Sequence, residues 1–537
     1  MKLFNRTLII AALACMTSLN SFSQSAPVVE QSLPKDYLTK EFHAGRREAL
    51  RNLMPANSVA VIFAYPERVF SRDVNYAYHQ NPDLYYFSGY KETDAVLLIF
   101  KEMQHDADGD YNEVFYVQKR DPAQEQWTGR RLGIEGVKSK LGFKKVYNSD
   151  EFANSPIDLK KFSAILYDAI PADEGNLKYL YDAFRAKSAI PEIDNDVLST
   201  LSMITQRGTP KNISRIMQYL KPKFELPEYK NNALLGAFIN KPDSASLVDL
   251  KAKFNAQFGG LVQYADFMNT LRGVKQPEEV ELIKKSVEIS SLAHAEVMRA
   301  IKPDMSETEL QGIFMYVHKK YGAEDEGYPP IVGAGANGCI LHYEENNVTE
   351  IKNQLVLMDV GSEYHGYSAD VTRTVPANGK FTDEQKAIYQ LVYDAQEEVF
   401  KLCKEGVPYS QLEEKTQEVL ATGLIKLGII SKADEVRKYY PHGVSHHMGL
   451  DVHDKGDYGV NLKENMVITV EPGIYIPAGS ACDKKWWDIG VRIEDDVVIG
   501  KEKCTLLSID APRKWQDVEK MAAEKSFFDQ GRFLPLK

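Results

Sequence analysis

Gln354–Val375 reads QLVLMDVGSEYHGYSADVTRTV, and this stretch decides how the second half of the chain folds. Four apolar residues, Leu355 to Met358, run into Asp359. After a glycine-containing turn, the β-branched run Val371 to Val375 follows Asp370. Two such runs about a turn predict a hairpin, with one carboxylate at the end of a core strand and another on its partner. A carboxylate placed there is costly unless it is paired or binds a metal. The construction recurs in Met466–Ile499, where VITVEPGIYI and VRIEDDVVI predict a second paired unit. Glu471 ends its apolar strand and Glu494 sits on the return strand.

Helices are predicted on either side of these units. Pro277-Glu278-Glu279 puts proline in a first turn and acids at the positive end of a helix dipole. Val280, Ile283 and Val287 then share one face. Ser306-x-x-Glu309, Thr382-x-x-Gln385 and Ser410-x-x-Glu413 each read as a capping box. Residues 272–515 are therefore expected to form a pseudo-symmetric domain: two rounds of helices plus paired strands, with a site between the halves. Residues 516–537 read as a C-terminal tail. Ahead of this, 35–265 reads as an α/β domain with a mixed sheet. Its expected elements are a helix Lys35–Leu53, strands at Ser58–Ala64, Ala95–Phe100 and Glu113–Gln118, and helices between Asn176 and Leu220. Within it, 221–260 is an extended region with one expected helix, Ser246–Phe258. The fold class is α/β in the broad α+β sense.

A chain of 537 residues exceeds one ordinary core and suits two or three domains. A net charge of -11 without a basic stripe argues against nucleic acid as a partner. At the start, Lys2 and Arg6 precede the apolar run Leu8–Ala14, and Ser21-Phe22-Ser23 supplies a small-x-small site. That pattern predicts a cleaved signal peptide over 1–23 and export to the periplasm or beyond. Cys15 raises a lipid-anchored reading, but Ala12 stands where such a motif takes leucine. No apolar run is long enough for a membrane span. Cys339, Cys403, Cys482 and Cys504 are scattered and offer neither a disulfide framework nor a C-x-x-C zinc site.

Five residues carry the chemistry: Asp359, Asp370, His446, Glu471 and Glu494. His446 lies in the loop HGVSHH, His442 to His447. Singly, each reads as a cap, a loop histidine or a solvated acid. Jointly, four carboxylates and one imidazole make a hard, oxygen-rich donor set. It suits two divalent ions, Mn²⁺ first, with Co²⁺ or Zn²⁺ as alternatives.

The segments LMDVGSEYHGYSADVTRT, HGVSHHMGLDVHD, VITVEPGIY and VRIEDDVVI resemble the signature of the aminopeptidase P and prolidase group of pita-bread metallopeptidases. SVAVIFAYPERVFSRDVNYAYHQNPDLYYFSGYKETDAVLLIF is similar to that group's N-terminal domain, and the likeness runs from about residue 42 to 498. The resemblance implies a pita-bread catalytic domain and cleavage of the bond before a proline at a peptide's second position. It implies that Asp359 holds one metal, that Asp370 and Glu494 bridge, and that His446 and Glu471 hold the other. Glu471 would also shuttle a proton, while His342 and His453 hold the scissile amide and its developing charge. His442 and Arg492 would orient the ligands from behind. Trp127, in QWTGRR, matches a segment that can reach a neighbouring subunit's active site; otherwise it is a partly buried helix tryptophan. A homo-oligomer, dimer or tetramer, is implied. Two rivals stay open: a prolidase confined to Xaa-Pro dipeptides, and a non-catalytic binding module. The second is disfavoured because metal-free relatives lose ligands, and all five stand here.

Overall fold

The computed structural model describes residues 34–530. The expected signal peptide lies outside the described residues, as do the last seven positions. From Leu38 onward the chain is one compact unit.

The N-terminal sheet is mixed, as expected. Its five strands run Val146–Asn148, Gly109–Val117, Val96–Asp106, Ser58–Phe63, Ala164–Tyr167 in spatial order. Ser58–Phe63 pairs antiparallel with Val96–Asp106 and parallel with Ala164–Tyr167. It is buried along its whole length, which is why SVAVIF is continuously apolar rather than alternating. The second and third strands form a longer hairpin than the sequence suggested, turning at Asp106–Gly109. The first helix is Lys40–Leu53, shorter than expected and capped by the Thr39 hydroxyl, which accepts from the Phe42 amide.

The region 221–260 holds more helix than its turn signals suggested. Short helices Pro227–Lys230 and Ala233–Asn240 lead into a 30-residue helix, Ser244–Gly273. That helix runs across residues 265–272. Leu201, Tyr229, Leu235, Leu250 and Phe254 form a small core of their own, so this segment is held by local packing.

Beyond it the expected two-round plan holds. Helices Pro277–Ala300 and Glu307–Lys320 precede a three-stranded sheet of Thr372–Pro376, Leu355–Asp359 and Ile331–Ala334. Helices Asp383–Phe400 and Ser410–Lys426 precede Val467–Val470 paired with Asp495–Val498, and Gly473–Ile476 paired with Ile489–Arg492. A bridge between Thr372 and Glu494 joins the two rounds. Thr382 and Gln385 form the expected capping box, and Ser306 caps through its own hydroxyl, which accepts from the Glu309 amide. Ser410 does not: Tyr409 occupies the cap position without a side-chain bond. The Glu413 carboxylate is drawn elsewhere, accepting from the Tyr440 hydroxyl at 2.8 Å and the Val444 amide at 3.0 Å. Within 516–537, Val518 is fully buried in the helix Trp515–Met521. Among the described residues no helix is long and apolar enough to cross a membrane.

Candidate active site

Asp359 closes its strand opposite Thr372, which leaves Asp370 two residues ahead of the paired run. Two main-chain amides set the placement: that of Asp370 donates to the Asp496 carboxylate at 2.9 Å, and that of Glu494 to the Thr372 carbonyl at 3.1 Å. Glu471 follows the strand Val467–Val470, and its amide donates to Val444 at 2.8 Å. His446 is fixed from the same strand, since the Thr469 amide donates to the His446 carbonyl.

These placements bring the five residues together. Asp370, His446 and Glu494 each offer a ligand atom, all within 4.8 Å of one another. His446 Nε2 is 3.2 Å from Asp370 and 3.5 Å from Glu471. Asp359 joins them through Tyr328, whose hydroxyl stands 2.5 Å from Asp359 Oδ1 and 2.7 Å from Asp370 Oδ1. Arg492 closes the far side. It pairs with Asp359 at 2.5 Å, donates to the Thr372 hydroxyl at 3.1 Å, and donates to the Tyr475 hydroxyl at 2.8 Å. Thr372 in turn donates to Glu494 at 2.6 Å.

The electrostatics say what such a group lacks. Burial pushes the Glu471 carboxyl up to about 7, and nearby Asp370 adds to this against the pull of His446. Glu494 is driven well above its ordinary value by burial and by Asp370, Glu471 and Asp359. Asp370 rises for the same two reasons. Asp359 alone stays low: burial works to raise it, and the Arg492 guanidinium with the hydrogen bonds of Tyr328 and Asp370 together outweighs burial. Burial also works against a charged His446, yet Asp370 and Glu471 lift it to about 9. Four carboxylates, three of them buried and Glu471 partly so, thus share one guanidinium and one imidazole. Ionised together, the four would carry more negative charge than these two cations offset, and their oxygen-rich donors fit hard or borderline divalent cations.

The remaining expected residues divide. His442 lies against the cluster, with Nδ1 3.8 Å from Glu471 and Nε2 2.8 Å from the Tyr475 hydroxyl. His453 meets His446 edge to face, ring centres 4.3 Å apart, and is itself exposed. His342 is exposed too, and its charge bears on His453. Trp127 is not partly buried: it stands 86% exposed on the helix Pro122–Thr128, outside the buried cluster. Sequence reasoning missed Tyr328, Thr372, Tyr475 and Glu413. Thr372 and Tyr475 lie inside the recognised segments but have no metal-binding chemistry of their own. Tyr328, in the loop Gly327 to Pro330, carries no signal beyond a tyrosine before two prolines.

Comparison with known proteins adds to this geometry. Residues 281–501 match metallopeptidase family M24, and residues 43–164 match the aminopeptidase P N-terminal domain. The chain is 32% identical over 486 residues to Xaa-Pro aminopeptidase of Escherichia coli K12, covering 88% of this chain and 96% of that one. It is 29% identical to human Xaa-Pro aminopeptidase 3, covering 91% and 87%. Among solved structures it is similar to aminopeptidase P of E. coli with the inhibitor Pro-Leu, at a TM-score of 0.70 and 29% identity, covering 90% of this chain and 98% of that one. A zinc-substituted form of that enzyme with product matches at 0.69, with 28% identity and the same coverage.

Proposed function

The chain belongs to the M24 metallopeptidases of the aminopeptidase P type, and from that premise we propose that it releases the first residue from peptides with proline in second position. The observation that carries the reading is the convergence of Asp359, Asp370, His446, Glu471 and Glu494 around one point. Those residues would hold two divalent ions, Mn²⁺ by preference, which when bound supply an activated water at neutral pH. Glu471 takes the proton of the attacking water and passes it toward the proline nitrogen as the bond breaks. His453, beside His446, and His342, both exposed, donate hydrogen bonds to the oxygen on which negative charge develops. Arg492 and Tyr328 keep Asp359 and Asp370 oriented, and His442 does the same for Glu471 with Tyr475 behind it.

The signal-peptide pattern at 1–23 supports an exported enzyme, and the exposure of Trp127 supports a contact with substrate or a neighbouring subunit in a homo-oligomer. The test compares an Xaa-Pro-Yaa tripeptide with an Xaa-Pro dipeptide, using chelator-treated protein with and without Mn²⁺. Metal-dependent release of the first residue from the tripeptide supports the reading. Cleavage of the dipeptide alone makes the protein a prolidase, and no cleavage of either with any divalent ion makes it a binding module.

A further inference from the structure

A second buried charge cluster lies beside the first. Arg272, at the end of the long helix Ser244–Gly273, is 1% exposed. Its guanidinium donates to Asp83 at 2.7 Å, to Asp451 at 2.7 Å, and to Asp454. Lys275, equally buried, donates to the other oxygen of Asp454 at 2.9 Å and to the Arg272 carbonyl at 2.7 Å. Lys455 spans from Asp83 at 2.7 Å to Asp168 at 2.8 Å. Asp83 belongs to the helix Pro82–Ser88 and Asp168 follows the strand Ala164–Tyr167, so both come from the N-terminal part of the chain.

Asp451, Asp454 and Lys455 flank His453. The segment 446–456 is folded closely on itself. The Asp454 amide donates to the His447 carbonyl at 2.8 Å. A Cβ at Gly449 would meet Asp454 Oδ2 at 2.1 Å, and one at Gly456 would meet the His447 ring at 2.2 Å. Buried ion pairs give little net stability against a well-packed apolar alternative, so a cluster of this size is better understood through what it holds in place. What it holds is the loop that carries His446 on one side and His453 on the other.

We propose that Asp83, Arg272 and Asp454 are positioning residues for the peptidase reaction, by which the N-terminal part of the chain fixes the 446–456 loop and so sets His453 against His446. The inference rests on the reading of His453 given above. It has a definite consequence: the effect of removing Asp83 must pass through His453.

The test is a double-mutant cycle on the metal-loaded protein. Asp83→Asn is made in the wild type and in His453→Ala, with tripeptide hydrolysis as the readout. Asp83→Asn is expected to lower kcat about tenfold in the wild type with KM within a factor of about two, and to have almost no effect in His453→Ala. In the metal-free protein, amide hydrogen exchange over 446–456 is expected to rise about tenfold in Asp83→Asn while Val467–Val470 is unchanged. Should Asp83→Asn fail to fold, Asp451→Asn repeats the cycle from the half-exposed partner of the same guanidinium. An equal kcat loss in both backgrounds, or no loss in the wild type, overturns the proposal and leaves the enzyme reading intact. A wild type without activity overturns that reading first.

Discussion

Two buried clusters of carboxylates lie within one loop's length of each other, and they differ in how their charge is met. Around Arg272, each carboxylate has a cation of the protein in contact. Burial works to raise Asp83, but Lys455 and Arg272 hold it at about 2. Asp454 is held low by Arg272 and Lys275 against the same burial. Around Asp370, carboxylates face carboxylates, and Glu471 and Glu494 rise instead. Both sets have buried carboxylates at their centres, so burial alone does not distinguish them. The cations do. A buried acidic set whose charge is already met holds chain segments in place, whereas one whose charge is left over is built to receive an ion.

The comparison can be broken in several ways, beginning where the effect is greatest. Glu471→Gln removes a proton carrier from the unpaired cluster, and turnover of an Xaa-Pro-Yaa peptide is expected to fall about a thousandfold while the fold persists. Full activity in that variant would remove Glu471 from proton transfer. In the paired cluster the heaviest cost is to folding. Arg272→Met leaves buried carboxylates uncompensated and is expected to destabilise by about 3–5 kcal/mol in denaturant unfolding. A loss under about 1 kcal/mol would show that these charges are better solvated than their burial indicates.

Added cation should separate the two clusters. At about a hundred times its dissociation constant, Mn²⁺ is expected to stabilise the wild type by about 2.7 kcal/mol. That gain should survive in Asp83→Asn and vanish in Glu494→Gln, read as a shift in melting temperature. The smallest effect is acidic. Asp83 ionises near 3.8 when unfolded and at about 2 when folded. Its contribution is therefore complete above pH 3.8 and is lost as pH falls toward 2, by about 2 kcal/mol. Unfolding of wild type and Asp83→Asn at pH 5, 4 and 3 checks this, because the difference between them should shrink only in the most acidic samples.

The two clusters were unequally legible in the sequence. Asp359 and Glu471 each end an apolar run, where a carboxylate has a cost that must be offset, and Asp370 and Glu494 follow on the partner strands. The two-round plan of helices and paired strands followed from the same runs. Arg272, Asp83 and Asp454 carry no such mark. They are 189 and 182 residues apart in their contacts, and each looks like an ordinary surface charge until the fold buries it. Tyr328 escaped for a related reason: its role is set by reaching Asp359 and Asp370 across the fold. The long helix Ser244–Gly273 was underestimated because Gly259 and Gly260 interrupt its pattern. There, Gly260 lets the helix approach the Ile165 carbonyl, where a Cβ would lie 1.9 Å away. Ser410 misled because a local capping pattern lost its glutamate to the loop that carries His446.

The most direct test of the central claim is a calorimetric Mn²⁺ titration of the metal-free protein, with tripeptide hydrolysis measured on the same samples. Two ions per chain, with activity rising as they bind and both lost in Glu494→Gln, is the expected result. Activity at full strength without any divalent ion, or binding that Glu494→Gln leaves unchanged, would contradict it.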